Sequence, residues 1–178
     1  MAVGEALFPD MPVVDGIRLG TAKAGIKKPD RRDLVVIEIA EGARVAGTFT
    51  QNAFCAAPVH IAKRHMAEQP TRYLLINTGN ANAGTGKSRL SDAEACCQSL
   101  GELTGVPAQS VLPFSTGVIG EPLPVERIQG GLFDALAGLD DTASAWQQAA
   151  EGILTTDTRV KGATATCLIG GQTVTING

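Results

Sequence analysis

Between residues 72 and 153 the chain alternates strand-like and helix-like patterns, and this alternation constrains the fold more than any other feature. Arg72 to Asn77 has the length and apolar content of a buried strand. Ser91-Asp92-Ala93-Glu94 reads as a capping box opening a helix that runs to about Leu103, stopped by Gly105 and Pro107. Val111 to Phe114 is a second short strand. Pro124 suits a first helical turn, and Val125, Ile128, Leu132 and Leu136 form an apolar stripe ending near Gly138. Ala143 to Ile153 continues as helix, with Trp146, Ala149, Ala150 and Ile153 on one side. Antiparallel pairs flank this region. Leu34–Ile39 and Arg44–Thr50 are predicted to pair around Glu41-Gly42-Ala43, and 163–169 with 172–176 through Gly170-Gly171. These patterns predict an α/β fold of the mixed α+β kind, with helices packed on a mixed sheet. The 178 residues suit a single domain, 1–178.

Composition narrows the function classes. A formal charge of −3 and 4% aromatic residues give no footing for nucleic acid or an anionic membrane surface. No apolar run approaches the roughly 20 residues of a membrane-spanning helix. Met1-Ala2-Val3-Gly4-Glu5 lacks the basic and apolar regions of a secretory signal. The four cysteines, Cys55, Cys96, Cys97 and Cys167, have no zinc or C-x-x-C spacing and read as free, mostly buried thiols of a cytoplasmic protein. His60 and His65 lie near no obvious partner, and their five-residue spacing suits neither one helix face nor one strand face. No metal and no cofactor are expected.

Three segments carry candidate chemistry. In Leu112-Pro113-Phe114-Ser115-Thr116-Gly117-Val118-Ile119-Gly120 an apolar run ends in Ser-Thr-Gly. A hydroxyl beside a glycine amide offers two donors to one point, as an acyl-transfer oxyanion requires, although Ser, Thr and Gly are also ordinary turn residues. Asn77-Thr78-Gly79-Asn80 follows a strand and is read as the floor of a site, without a chemical step of its own. Ala81-Asn82-Ala83-Gly84-Thr85-Gly86-Lys87-Ser88 fits a relaxed phosphate-binding loop. The helix start at Ser91, the long loop after Asn77 and the want of a later strand ending in a magnesium-binding Asp count against that. Gly84-Thr85-Gly86-Lys87 is therefore expected to be an exposed loop.

Together with Gly25-Ile26-Lys27-Lys28, Ala46-Gly47-Thr48-Phe49-Thr50-Gln51-Asn52 and Thr155-Thr156-Asp157-Thr158, these segments make the chain, from about Gly16 to Gly178, resemble the ornithine acetyltransferases, also called glutamate N-acetyltransferases. The resemblance implies a layered sandwich of sheets and helices and a precursor that cuts itself between an Ala and a Thr. It implies that this chain is the alpha chain of a two-chain enzyme. The beta chain would carry the N-terminal Thr nucleophile, and the pairs would assemble as an α2β2 heterotetramer. It implies transfer of an acetyl group from N-acetylornithine to glutamate through an acetyl-threonine intermediate, in arginine biosynthesis. Thr116 and Gly117 match the family's oxyanion donors. Thr155 matches a substrate-binding position, the competing reading being a helix-end turn whose hydroxyls bond backbone. Lys161 is expected to face solvent. The alternatives left open are an amide hydrolase or aminopeptidase of the same self-cleaving architecture, a non-catalytic binding subunit, and a nucleotide-binding protein.

Overall fold

A strand–helix–strand unit forms the centre of the fold in a computed structural model that describes residues 8–26, 28–86 and 88–178. Lys27 and Lys87 lie outside the described residues. The strands and helices are β1 (Ile17–Ala22), β2 (Leu34–Ile39), α1 (Ala57–Glu68), β3 (Tyr73–Asn80), α2 (Ser88–Thr104), β4 (Val111–Val118), α3 (Val125–Ala137), α4 (Ala143–Gly152), β5 (Thr164–Ile169) and β6 (Gln172–Asn177). The main sheet has the order β1-β2-β3-β4. β1 and β3 flank β2 antiparallel, and β4 runs parallel to β3 after the α2 crossover, so the sheet is mixed as the sequence predicts.

Strand residues alternate between two cores, because successive side chains point to opposite faces. On one face Leu34, Val36, Leu75 and Val111 pack with Ile61 of α1, Cys97 and Leu100 of α2, and Ile128 and Leu132 of α3. On the other, Leu19 and Val35 pack with Ala145 and Ala149 of α4, joined by Ile37, Ile76 and Trp146. The result is three layers, with α1, α2 and α3 on one side of the sheet and α4 on the other. The predicted stripe on α3 faces its core, with Ile128 and Leu132 fully buried and Val125 and Leu136 packed against it. On α4, Ile153 departs from the expected stripe: it is the C-cap and is exposed.

Several local expectations are corrected. Arg44–Thr50 is irregular. β1 and β3 already occupy both edges of β2, so no ladder remains for it. β1 itself and α1 were not anticipated. α2 begins at Ser88, one turn before the proposed capping box. The Ser91 hydroxyl donates to the Ser88 carbonyl at 2.7 Å, and Glu94 pairs with Arg64 of α1 instead of reaching back. The C-terminal stop is as expected, with Gly105 at φ +74°. β3 and β4 both run past their apolar stretches, through Asn77-Thr78-Gly79-Asn80 and Ser115-Thr116-Gly117-Val118.

β5 and β6 form a separate hairpin through Gly170-Gly171, both at positive φ as a primed turn requires. Leu168, Ile169 and Ile176 on it are exposed. All four cysteines are free, but only Cys96 and Cys97 are buried, while Cys55 is half-buried and Cys167 exposed. His60 does have a partner, since its Nε2 lies 3.0 Å from Cys55 Sγ. His65 is buried, with Nδ1 2.8 Å from the Val111 carbonyl, so the two histidines serve different surroundings. Among the described residues no helix is long and apolar enough to cross a membrane.

Candidate functional site

The parallel pairing of β3 and β4 puts two glycine-bearing segments side by side. Asn77 lies opposite Ser115, Thr78 opposite Thr116, and Gly79 opposite Gly117, and the register shifts at Gly79/Asn80. Gly117 has φ +142°, a backbone region that side-chain-bearing residues rarely adopt. A Cβ there would stand 2.3 Å from the Gly79 carbonyl carbon and 2.5 Å from the Asn80 nitrogen. Only glycine lets the two backbones approach so closely.

Buried amides hold this pair in place. Asn77 accepts from the Ser115 hydroxyl at 2.6 Å and donates to the Asn80 carbonyl at 2.9 Å. Asn80 accepts from the Asn82 backbone N–H and donates to the Glu121 and Pro122 carbonyls. Asn77 and Asn80 are both almost fully buried, so these bonds fix the strand ends more than exposed ones could. The floor reading of Asn77-Thr78-Gly79-Asn80 thus acquires a physical form.

The opposite wall comes from the β1–β2 connection and the end of α4. Asp33 is buried, and its two carboxylate oxygens accept from the Ala24 and Ile26 N–H groups at 2.7 and 2.6 Å. Its carbonyl accepts from the Thr78 N–H at 2.9 Å. The Thr78 hydroxyl donates to the Gly152 carbonyl at 3.0 Å, tying the floor to α4. Arg31 donates to the Leu154 carbonyl, and Arg32 pairs with Glu151 at 3.3 Å. Arg127 of α3 donates to the Gly25 and Ile26 carbonyls at 2.5 and 3.2 Å.

These elements enclose a cleft of about 320 Å³. Thr78, Gly79, Thr116, Gly117 and Val118 line one side of it. Leu154, Thr155 and Thr156 line another, and Lys28, Arg31 and Asp33 the third. Thr116, Gly117 and Thr155 are therefore brought together across one cavity. Among the described residues the hydroxyls of Thr116 and Thr155 have no hydrogen-bond partner. The turn after α4 is closed instead by backbone bonds, Ile153 N–H to Ala149 and Leu154 N–H to Glu151. The competing reading of Thr155 as a turn-capping hydroxyl does not describe this geometry. Lys161 lies outside the cleft, exposed and 2.8 Å from Asp157, whose carboxyl it holds below the usual range.

The phosphate-loop alternative needs a different argument from the one the sequence suggested. The helix does begin at Ser88, and β3 does reach Asn80 immediately before the pattern. What opposes phosphate binding is that the first two backbone amides of the pattern are already committed within the chain. The Ala81 N–H donates to the Val118 carbonyl, the Asn82 N–H to the Asn80 side chain, and the Ala83 carbonyl accepts from the Gly120 N–H. A phosphate cradle needs such amides free.

Sequence reasoning missed the Lys28, Arg31 and Asp33 wall. A signal for Asp33 was present, an acid directly before the apolar run Leu34–Ile39, where a buried carboxylate needs backbone donors.

The ArgJ family matches residues 18–178. The arginine biosynthesis bifunctional protein ArgJ of Pseudomonas fluorescens is 54% identical over 178 residues, covering 100% of this chain and 43% of its own length. Its counterpart from Pseudomonas syringae pathovar tomato is also 54% identical, with the same coverage. This chain thus spans less than half the length of these curated relatives. The crystal structure of the Bacillus halodurans ArgJ protein superposes with a TM-score of 0.85 at 33% identity, covering 92% of this chain and 85% of that one. Ornithine acetyltransferase from Mycobacterium tuberculosis, crystallised with ornithine, superposes at 0.82 with 26% identity, covering 92% and 88%. The layered α/β architecture is common to all three structures.

Proposed function

Since the chain belongs to the ArgJ family, we propose that residues 1–178 form one domain, the alpha chain of a two-chain acetyltransferase that moves an acetyl group from N-acetylornithine to glutamate in the cytoplasm. The partner is the beta chain of the same precursor, which begins with the nucleophilic Thr, and the pairs assemble as an α2β2 heterotetramer. The partner's hydroxyl attacks the acetyl carbonyl of N-acetylornithine. The amine of ornithine leaves with a proton, and an acetyl-threonine ester remains. The amine of glutamate then attacks the ester, the threonine oxygen regains its proton, and N-acetylglutamate departs. This is covalent catalysis in two half-reactions, without metal or cofactor.

Each half-reaction passes through a tetrahedral oxyanion, which the Thr116 hydroxyl and the Gly117 N–H stabilise, while Thr155 contacts substrate across the cleft. The observation that carries this reading is the uncommitted Thr116 hydroxyl beside a glycine locked against β3, facing Thr155 in one cavity. A donor already satisfied in the resting protein could not meet the oxyanion without reorganisation.

The test is Thr116→Val in the two-chain protein, with cleavage verified by intact mass. The substitution keeps the β-branch and removes the donor. Turnover is expected to fall by about 100-fold or more with KM little changed, because the lost bond strengthens only in the transition state. Near-native turnover would overturn the assignment.

A further inference from the structure

The acetyl-transfer chemistry leaves one wall of the cleft without a role, and that wall is basic. Lys28 and Arg31 line the cleft together with Asp33. Asp33 forms an ion pair with neither of them, its two oxygens accepting backbone N–H groups instead. Of the other acids nearby, Glu151 pairs with Arg32 and Asp157 with Lys161, while the exposed Asp30 forms an ion pair with neither Lys28 nor Arg31. Lys28 is exposed and, among the described residues, has neither an ion-pair nor a hydrogen-bond partner. Arg31 is half-buried and donates to the Leu154 carbonyl. That bond holds its planar head at the cleft wall and leaves further N–H groups for a ligand. Two cations thus face a cavity with no protein carboxylate committed to them.

We propose that Lys28 and Arg31 form a carboxylate subsite that receives the α-carboxylate of the amino-acid substrate. The identity of the ligand rests on the acetyl-transfer reading. N-acetylornithine and glutamate differ in side-chain charge, but both carry an α-carboxylate. A cleft serving both in turn gains from fixing that shared group and leaving the side chain to other contacts. Arg31 is the anchored member, oriented by Leu154. Lys28 is the mobile one, adding charge from the rim. Through Leu154 the subsite is joined to Thr155, so carboxylate binding and acetyl positioning share one short segment.

The experiment uses the two-chain protein with glutamate and its α-amide, isoglutamine, as probes in calorimetry. The wild type is expected to bind glutamate about tenfold or more tightly than isoglutamine, as a charge-assisted hydrogen bond provides. Lys28→Gln should weaken glutamate binding severalfold and narrow the preference for acid over amide, with Arg31 still in place. Lys28→Arg should restore most of it. In turnover, Lys28→Gln should raise KM for both substrates and leave kcat within about threefold, because the α-carboxylate takes no part in bond making. The KM of the wild type should rise with salt more steeply than that of the variant. Arg31→Gln should weaken glutamate binding too, together with a lower melting temperature from the released Leu154 carbonyl, so the decision rests on Lys28. Unchanged glutamate affinity in Lys28→Gln, or an undiminished preference for acid over amide, overturns the subsite. Glutamate binding that depends on Lys28 in a protein transferring no acetyl group would leave the subsite standing and remove the acetyltransferase reading.

Discussion

Gly117→Ala separates geometry from donor chemistry, because alanine retains the backbone N–H. The added Cβ would lie 2.3 Å from the Gly79 carbonyl carbon, about 1.1 Å inside the 3.4 Å at which ordinary contact begins. The neighbouring atoms are backbone on both sides, so no side chain can swing away. The φ of +142° adds conformational strain of about 1–3 kcal/mol for a residue with a Cβ. Over-packing adds about 1–3 kcal/mol. The combined cost, roughly 2–6 kcal/mol, is a large part of the ~5–15 kcal/mol that holds a typical domain together. Relief requires β3 and β4 to part by about the overlap, which carries the Gly117 N–H out of the ~0.4 Å window in which an oxyanion donor works. A misplacement of about 1 Å costs roughly 100-fold in rate. Urea unfolding and steady-state kinetics on the cleaved two-chain protein should therefore both deteriorate. Thr116→Val, by contrast, should lower the rate alone. A Gly117→Ala protein with native unfolding midpoint and native turnover would refute the argument that the close strand approach builds the site.

Two further outcomes follow from the buried polar and thiol groups. Thr78→Val is isosteric but leaves the Gly152 carbonyl without its 3.0 Å donor; a loss of about 1–3 kcal/mol in unfolding free energy is expected, and an unchanged midpoint would show that the bond is dispensable. Burial pushes the Cys96 thiol up to about 12 from an ordinary value of 9.0 and pushes Cys97 up as well. A maleimide at pH 8 should accordingly label Cys55 and Cys167 in the folded protein, with Cys96 and Cys97 labelled only after unfolding. Because the unfolded thiol ionises first, the stability contributed by Cys96 is complete below pH 9 and is lost as pH rises toward about 12. Early labelling of Cys96, or flat stability across that window, would contradict its burial.

The mid-chain fold was legible because α3 and α4 carry clear apolar stripes and β3 opens with an uninterrupted apolar run. β1 was hidden by Gly20, which weakens a strand pattern yet is demanded by packing, since a Cβ there would fall 1.9 Å from the Ala135 carbonyl oxygen of α3. α1 was hidden because it buries Ala57, Pro58, Ala62 and His65 more than large apolar residues, so its periodicity is faint. Arg44–Thr50 alternates like a strand, but strand pairing is decided by neighbours in space, and β1 had taken the edge. At the site, Thr116, Gly117 and Thr155 stood in motifs long enough to recognise. Lys28 stood in the Gly25-Ile26-Lys27-Lys28 motif but was given no role, and Arg31 and Asp33 stood in none, because their wall exists only once the 23–33 connection folds against residues 151–156, on the far side of the sequence.

That wall has a kinetic corollary. The Arg31 bond to Leu154 closes a loop of 123 residues, the Arg32 contact with Glu151 one of 119, and the Thr78 bond to Gly152 one of 74. Contacts of such high order carry the largest chain-entropy cost and form after local helices and hairpins. The cleft is thus expected to be among the last parts of this chain to take shape during folding. No excised peptide or transplanted loop can carry it, and its integrity reports on completion of the whole topology.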